Sequence, residues 1–190
     1  MPEPINKTIV RNYEIYKKVR HEKKELANNS ITLIDKKSNI HFKHAVLPIK
    51  SSFIEDIELI VEADKNQIKR YGFKLKSVSI CEKPFFRFDA SGCSHNNHAP
   101  SIPLPLRQVS TPHFQYYDEL GFNTAYKTDK LKDPQIIAEL EIDINKGIGL
   151  FCEESVIFTA INGYPNIERD AGLIFQAEEI DPLKNVRFDE

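Results

Sequence analysis

Between residues 31 and 89 the chain runs through "ITLID", "NIHFKHAVLPI", "SFIEDIELIVEAD", "KRYGFKLKSVSICE" and "PFFRFDA". β-Branched and aromatic residues dominate these segments, polar residues partly alternate with them, and short turn sequences separate them. This is the pattern of half-buried antiparallel strands. A chain that commits this much of its length to period two must bury one face of a sheet, and the flanking segments must do the covering.

The flanks supply helices. In "NKTIVRNYEIYKKVRHEKKELANN" the residues Ile9, Val10, Tyr13, Tyr16 and Val19 recur at spacings of three and four, a narrow apolar stripe on a charged helix. The pattern predicts a helix over residues 8–28, capped by Asn6 or Thr8 and stopped at Asn28-Asn29. Further on, "PHFQYYD" and "FNTAYKT" read as two strands around a turn at Gly121. "DPQIIAELEIDINKG" then reads as a helix with Asp133 as its cap, Pro134 in its first turn and Gly147 as its end. The expected fold class is α+β, an antiparallel β-sheet with an N-terminal helix and a second helix after the strands. Residues 1–190 are read as a single domain, with a sheet core at 31–145, a long loop at 90–111 and a C-terminal extension at 147–190 whose broken apolar runs specify no element.

Composition narrows the function classes. In 190 residues, 41% are hydrophobic and 28% charged, as in ordinary globular proteins, and 26 Lys plus Arg against 28 Asp plus Glu leave a net charge of -2. A global basic excess for nucleic acid is absent, so any RNA contact has to be local. Cys81, Cys93 and Cys152 are odd in number and lack C-x-x-C spacing, which indicates neither a disulfide framework nor a zinc ribbon. No signal peptide or membrane-spanning apolar run is legible, so the expectation is a cytoplasmic protein with no membrane partner.

Candidate chemistry concentrates in "RFDASGCSHNNHAPSIPLPLRQVSTPHFQYYDELG", residues 87–121. Strand alternation places Arg87 and Asp89 on one face of "FFRFD", opposite Phe86 and Phe88, and His113, Gln115 and Tyr117 on one face of "PHFQYYD". If both aromatic faces pack into the core, the five polar side chains share the other face. A guanidinium to hold phosphate and an imidazole to move protons are the minimum for metal-independent RNA cleavage. The plainer reading is a surface ion pair between Arg87 and Asp89 beside ordinary loop histidines. The shared-site reading requires that the strand around residue 87 pair directly with the strand around 115, with His95 folded back over both.

Metal ligation by His95, His98 and His113 with Asp89 or Cys93 is a further option, but the spacing follows no standard zinc pattern, and no metal is expected. No cofactor is indicated either: "GIGLF" lacks the glycine spacing and following helix of a nucleotide-binding turn. The basic run "KKVRHEKKE" reads as a solvated helix face that could lend positive charge to the patch.

These residues carry a resemblance. Arg87, Asp89, Gly92, His95 and Asn97, followed by Pro112-His113, Tyr117 and Gly121, resemble the centre of an uncharacterised bacterial and prophage-associated domain-of-unknown-function family with an R-x-D-x-x-G-x-x-H-x-N core and a later P-H-x-H-x-Y. More distantly the run is similar to small toxins of toxin–antitoxin pairs. Gln115 stands where the family has its second histidine, so a mechanism needing both is not open to this chain unless His98 replaces it. The resemblance implies a metal-independent endoribonuclease toxin with Arg87 on phosphate, His95 and His113 as acid and base, Asp89 and Tyr117 in the catalytic set, and Asn97 and Gln115 binding substrate. RNA and a cognate antitoxin or other protein would be its partners. The alternative is a non-catalytic binding module, in which the same residues only recognise a ligand: a phage counter-defence, antitoxin-like or small-ligand sensor protein.

Overall fold

Alternation in the sequence becomes alternation in burial. The computed structural model describes residues 5–168. In β5 (Ile57–Asp64), β6 (Tyr71–Ser77) and β7 (Cys81–Asp89), Leu59, Val61, Phe73, Leu75, Phe86 and Phe88 are buried on one face. The elements before them are α1 (Lys7–Arg11), α2 (Tyr13–His21), β1 (Lys24–Leu26), β2 (Ser30–Thr32), β3 (Ile34–Asp35) and β4 (Phe42–Lys50). After them come β8 (His95–Asn96), β9 (Gln108–Val109), β10 (His113–Tyr117), β11 (Asn123–Tyr126), α3 (Pro134–Ile142), α4 (Ile144–Ser155), β12 (Ile157–Thr159) and β13 (Asn166–Glu168). The fold is α+β, as the sequence pattern predicts.

Among the described residues the main sheet runs β11-β10-β7-β6-β5-β4-β1-β12, with β3 added beside β4. All its pairings are antiparallel except β1 with β12. Its aromatic face is covered by α3 and α4: Phe151 packs on Phe73 and Phe86, each at 5.6 Å between ring centroids, and the Tyr71 hydroxyl donates to the Leu140 carbonyl at 2.8 Å. Two short pairs, β13 with β2 and β8 with β9, lie off the main sheet. No helix among the described residues is long and apolar enough to cross a membrane.

The N-terminal helix is shorter than predicted and broken. Asn6 caps α1 by accepting from the Thr8 and Ile9 amides, the chain interrupts at Asn12, and α2 ends at His21 rather than at residue 28. Residues 24–26 become strand β1 because Lys24 has a stronger alternative to a helical surface position. Its side chain is fully buried, and the ammonium donates to the carbonyls of Val19 at 2.6 Å, Glu22 at 2.9 Å and Arg20 at 3.3 Å. It thus satisfies the orphan acceptors at the end of α2. Burial lowers its pKa to about 8.

The predicted end of the second helix is also corrected. Asp133 caps α3 with Pro134 in the first turn, as expected, but Gly147 lies inside a further helix, α4, and ends nothing. A Cβ at Gly147 would fall 2.6 Å and 2.7 Å from Cε2 and the hydroxyl of Tyr71. The glycine is there to let the helix approach the sheet. The part of the supposed C-terminal extension up to residue 168 belongs to the fold, since α4 covers the aromatic face and β12 ends the sheet; the rest lies outside the described residues.

The hydroxyl of Tyr16 is inserted into the β7–β10 ladder. It accepts from the Tyr117 amide at 2.9 Å and donates to the Phe85 carbonyl at 3.4 Å, at the end where the two strands part. Two substitutions test these contacts. Gly147→Ala should cost about 1–3 kcal/mol, because a helix or a packed ring must move. Tyr16→Phe should cost about 1–3 kcal/mol, because a buried amide and carbonyl lose their partner while the ring remains. Urea unfolding of the two variants measures both.

Candidate functional site

Strands β7 and β10 are direct antiparallel neighbours, with Asp89 opposite His113 and Arg87 opposite Gln115. Phe88 and Phe114 face each other on the buried side, so these four polar residues share the opposite face. The pairing follows from the chain's own alternation: the register that stacks phenylalanine on phenylalanine also lines up the polar residues.

The four side chains form one hydrogen-bonded unit. Arg87 Nη2 donates to both oxygens of Asp89 at 3.1 Å, and Gln115 Nε2 donates to Asp89 Oδ2 at 2.6 Å. The same amide nitrogen lies 3.0 Å from His113 Nε2, and Asn123 Nδ2 donates to Gln115 Oε1 at 3.0 Å. An amide nitrogen only donates, so His113 Nε2 is the acceptor and the neutral ring carries its proton on Nδ1. His113 is 1% exposed, and its Nδ1 makes no hydrogen bond of good geometry. Burial pushes its pKa below the ordinary imidazole value, assisted by the positive potentials of His95 and Arg87; Asp89 and the Ser110 backbone pull the other way without prevailing. His113 is therefore neutral at physiological pH.

The loop 90–111 folds back over this unit as the β8–β9 pair. His95 Nε2 lies 3.2 Å from the Asn123 carbonyl, which can only accept, so Nε2 carries the proton and Nδ1 holds the lone pair when the ring is neutral. The His95 ring stands edge-on to His113 with centroids 6.1 Å apart. Asn97 pins the loop: its Nδ2 donates to the Ala125 carbonyl at 2.9 Å, and its Oδ1 accepts from the Ala125 amide at 2.6 Å. The side chain thus imitates a neighbouring strand and covers the outer edge of β11.

Arg87, Asp89, Gln115 and His113 come together as the alternation predicts, with His95 beside them. Asn97 and Tyr117 do not join them. Asn97 is 2% exposed and spends both polar atoms on Ala125, so it is a loop anchor. Tyr117 continues the same face but is buried in the hydrophobic cluster near the start of α1, in a groove with Ile5, Asn6 and Cys81. Asn123 is the member of the network that sequence reading missed. The hairpin register, Tyr117 opposite Asn123 and Gln115 opposite Ala125, is the signal that would have found it.

Among the described residues, no three of His, Cys, Asp and Glu are grouped to hold a metal ion. The neighbouring charges are also internally paired: Lys36 and Lys74 both bind Glu62. Burial would raise the Glu62 carboxyl, but the two ammonium groups outweigh it and hold it below the usual range.

The class defined by these features is an α+β protein with a self-bonded Arg–Asp–Gln–His cluster on the open face of its sheet. The chain matches no protein-family model, no curated protein and no solved structure. The resemblance carried by residues 87–121 therefore stands on its motif alone.

The buried imidazole has a measurable consequence. An unfolded-state histidine titrates near 6.5, whereas folded His113 titrates lower, so between these values the unfolded chain binds the extra proton. Stability then falls as pH drops below about 6.5. His113→Gln should flatten the fall in unfolding free energy between about pH 6.5 and pH 5, measured by urea denaturation. His21, also lowered, chiefly by burial, accounts for the part that persists. Equal slopes in wild type and variant would contradict the assigned protonation state.

Proposed function

We propose that the chain is a cytoplasmic recognition module without catalytic activity, and that the cluster presents Arg87 to an anionic group on a partner. One observation carries this reading: the groups that catalysis would need are already spent on one another. Asp89 is occupied by Arg87 and Gln115, and His113 is neutral and closed to solvent at 1% exposure. A general acid or base has to come within hydrogen-bond reach of the proton it moves, through at most one water. Arg87, at 36% side-chain exposure, is the member of the cluster that solvent reaches most. Its Nη2 is held on Asp89, which fixes the direction in which the guanidinium faces a ligand.

A second reading, the endoribonuclease toxin, is favoured by one feature. His95 is half-buried rather than closed off, and the Asn123 carbonyl orients it so that Nδ1 is free to act as a base. Its partners would be RNA and a cognate antitoxin. The basic run on the first helix gives RNA little help, because Arg20 and Lys24 are both committed inside the protein.

Purified protein incubated with a mixed-sequence RNA in EDTA distinguishes the two. The recognition reading expects intact RNA with wild type and with His95→Ala, and no growth arrest on expression. It also expects weak, saturable binding of inorganic phosphate, lost in Arg87→Gln. Metal-independent cleavage that disappears in His95→Ala would replace this reading with the nuclease.

A further inference from the structure

A groove of about 580 Å³ lies beside the start of α1, at the far end of the face that carries the polar cluster. Its lining is mixed: Ile5, Val78, Cys81 and the ring of Tyr117 supply hydrocarbon, with Asn6, Thr8 and Glu82 among them. Ile5 is 47% exposed and Val78 70% exposed. Two lysines, Lys7 and Lys83, stand at the rim; both are exposed, and among the described residues neither has a carboxylate partner. The volume falls within the range of small-molecule sites, roughly 300–1,000 Å³.

We propose that this groove binds a small amphiphilic monocarboxylate, with its hydrocarbon part on Ile5, Val78 and Tyr117 and its carboxylate between Lys7 and Lys83. The exposed Ile5 and Val78 call for an apolar body, since covering them removes hydrocarbon from water. The charge at the rim sets the head group. Glu82 also lines the groove, so one positive charge is in excess, which fits a monoanion better than a dianion such as phosphate. Lysine ammonium groups are compact point charges without the fork that makes arginine a phosphate clamp, and they suit a single carboxylate. Two polar groups of the lining are already used: Cys81 Sγ donates to the Lys83 carbonyl at 3.0 Å, and Asn6 Oδ1 caps α1. The two lysines are the cations of the lining and take the carboxylate. The proposal is separate from the role of the Arg87 cluster and stands or falls without it.

Octanoate is the probe, titrated into the full chain and followed by amide chemical shifts, with 1-octanol as the uncharged comparison. Octanoate should give saturable shifts at Val78, Cys81 and Tyr117. Affinity should drop by about tenfold or more for 1-octanol and for a Lys7→Glu, Lys83→Glu double variant, the scale expected for a lost charge-assisted contact. Val78→Asp should abolish binding. All three positions are exposed, so circular dichroism should report an unchanged fold in the variants. Equal binding of octanol and octanoate, undiminished binding by the double variant, or shifts spread equally to the exposed Leu104 and Leu106 would each overturn the proposal.

Discussion

The stack of phenylalanines between the sheet and α4 is the constraint on which the rest of the molecule depends. Phe86 lies parallel to Phe114 at 5.7 Å, Phe73 parallel to Phe88 at 5.9 Å, and Phe151 meets both Phe73 and Phe86. Slipping β10 by one residue against β7 would turn His113 and Gln115 toward this layer and expose Phe114. Each buried phenylalanine is worth roughly 1.5–3 kcal/mol relative to an exposed one, so the register has no close competitor. The polar cluster is a consequence of that register. Arg87, Asp89, His113 and Gln115 are assembled because their neighbours in sequence must all face the other way.

This explains which parts of the structure were legible in the sequence. Alternation in "FFRFD" and "PHFQYYD" contained the faces, and the aromatic pairing contained the register, so the cluster could be assembled from residue types alone. Tyr117 breaks the extrapolation because a side chain from elsewhere intervenes: the Tyr16 hydroxyl takes the place of the next ladder bond and the strands part before Tyr117 can join the cluster. Asn97 was misread for a related reason, since an amide can stand in for a strand's own donor and acceptor, and nothing local in "SHNNHAP" marks which asparagine will do so. The helix ends failed where tertiary contacts overrode local signals. Lys24 looks like one more surface lysine until α2 is seen to end on it, and Gly147 looks like a stop signal until Tyr71 is placed beside it.

Burial also changes what the charged residues can do. The run "KKVRHEKKE" suggests a basic strip, yet its Arg20 lies over the Tyr116 ring at 4.3 Å and donates to Tyr126, whose hydroxyl in turn donates to Glu154. This chain of contacts ties α2 to β10, β11 and α4. Together with the buried Lys24, it converts two of the run's cations from surface electrostatics into internal joints. A net charge of -2 gives no global basic excess, so any contact with a polyanion has to be local.

With α3 and α4 covering the aromatic face, the polar cluster and the groove lie on the other face and at the strand ends. Along β10 that face divides at the point where Tyr16 enters. On one side lies the cluster of Asp89, Gln115 and His113, polar and bonded within itself, with Arg87 as its most exposed group. On the other lies the groove above Tyr117, with exposed hydrocarbon and, among the described residues, lysines without carboxylate partners. The two halves have different deficits: in the cluster Arg87 Nε and His113 Nδ1 are buried without a hydrogen-bond partner, whereas the groove keeps hydrocarbon exposed beside two lysines that, among the described residues, have no carboxylate partner. A small molecule in the groove covers hydrocarbon and meets uncompensated charge, whereas at the cluster it competes with Asp89 for Arg87.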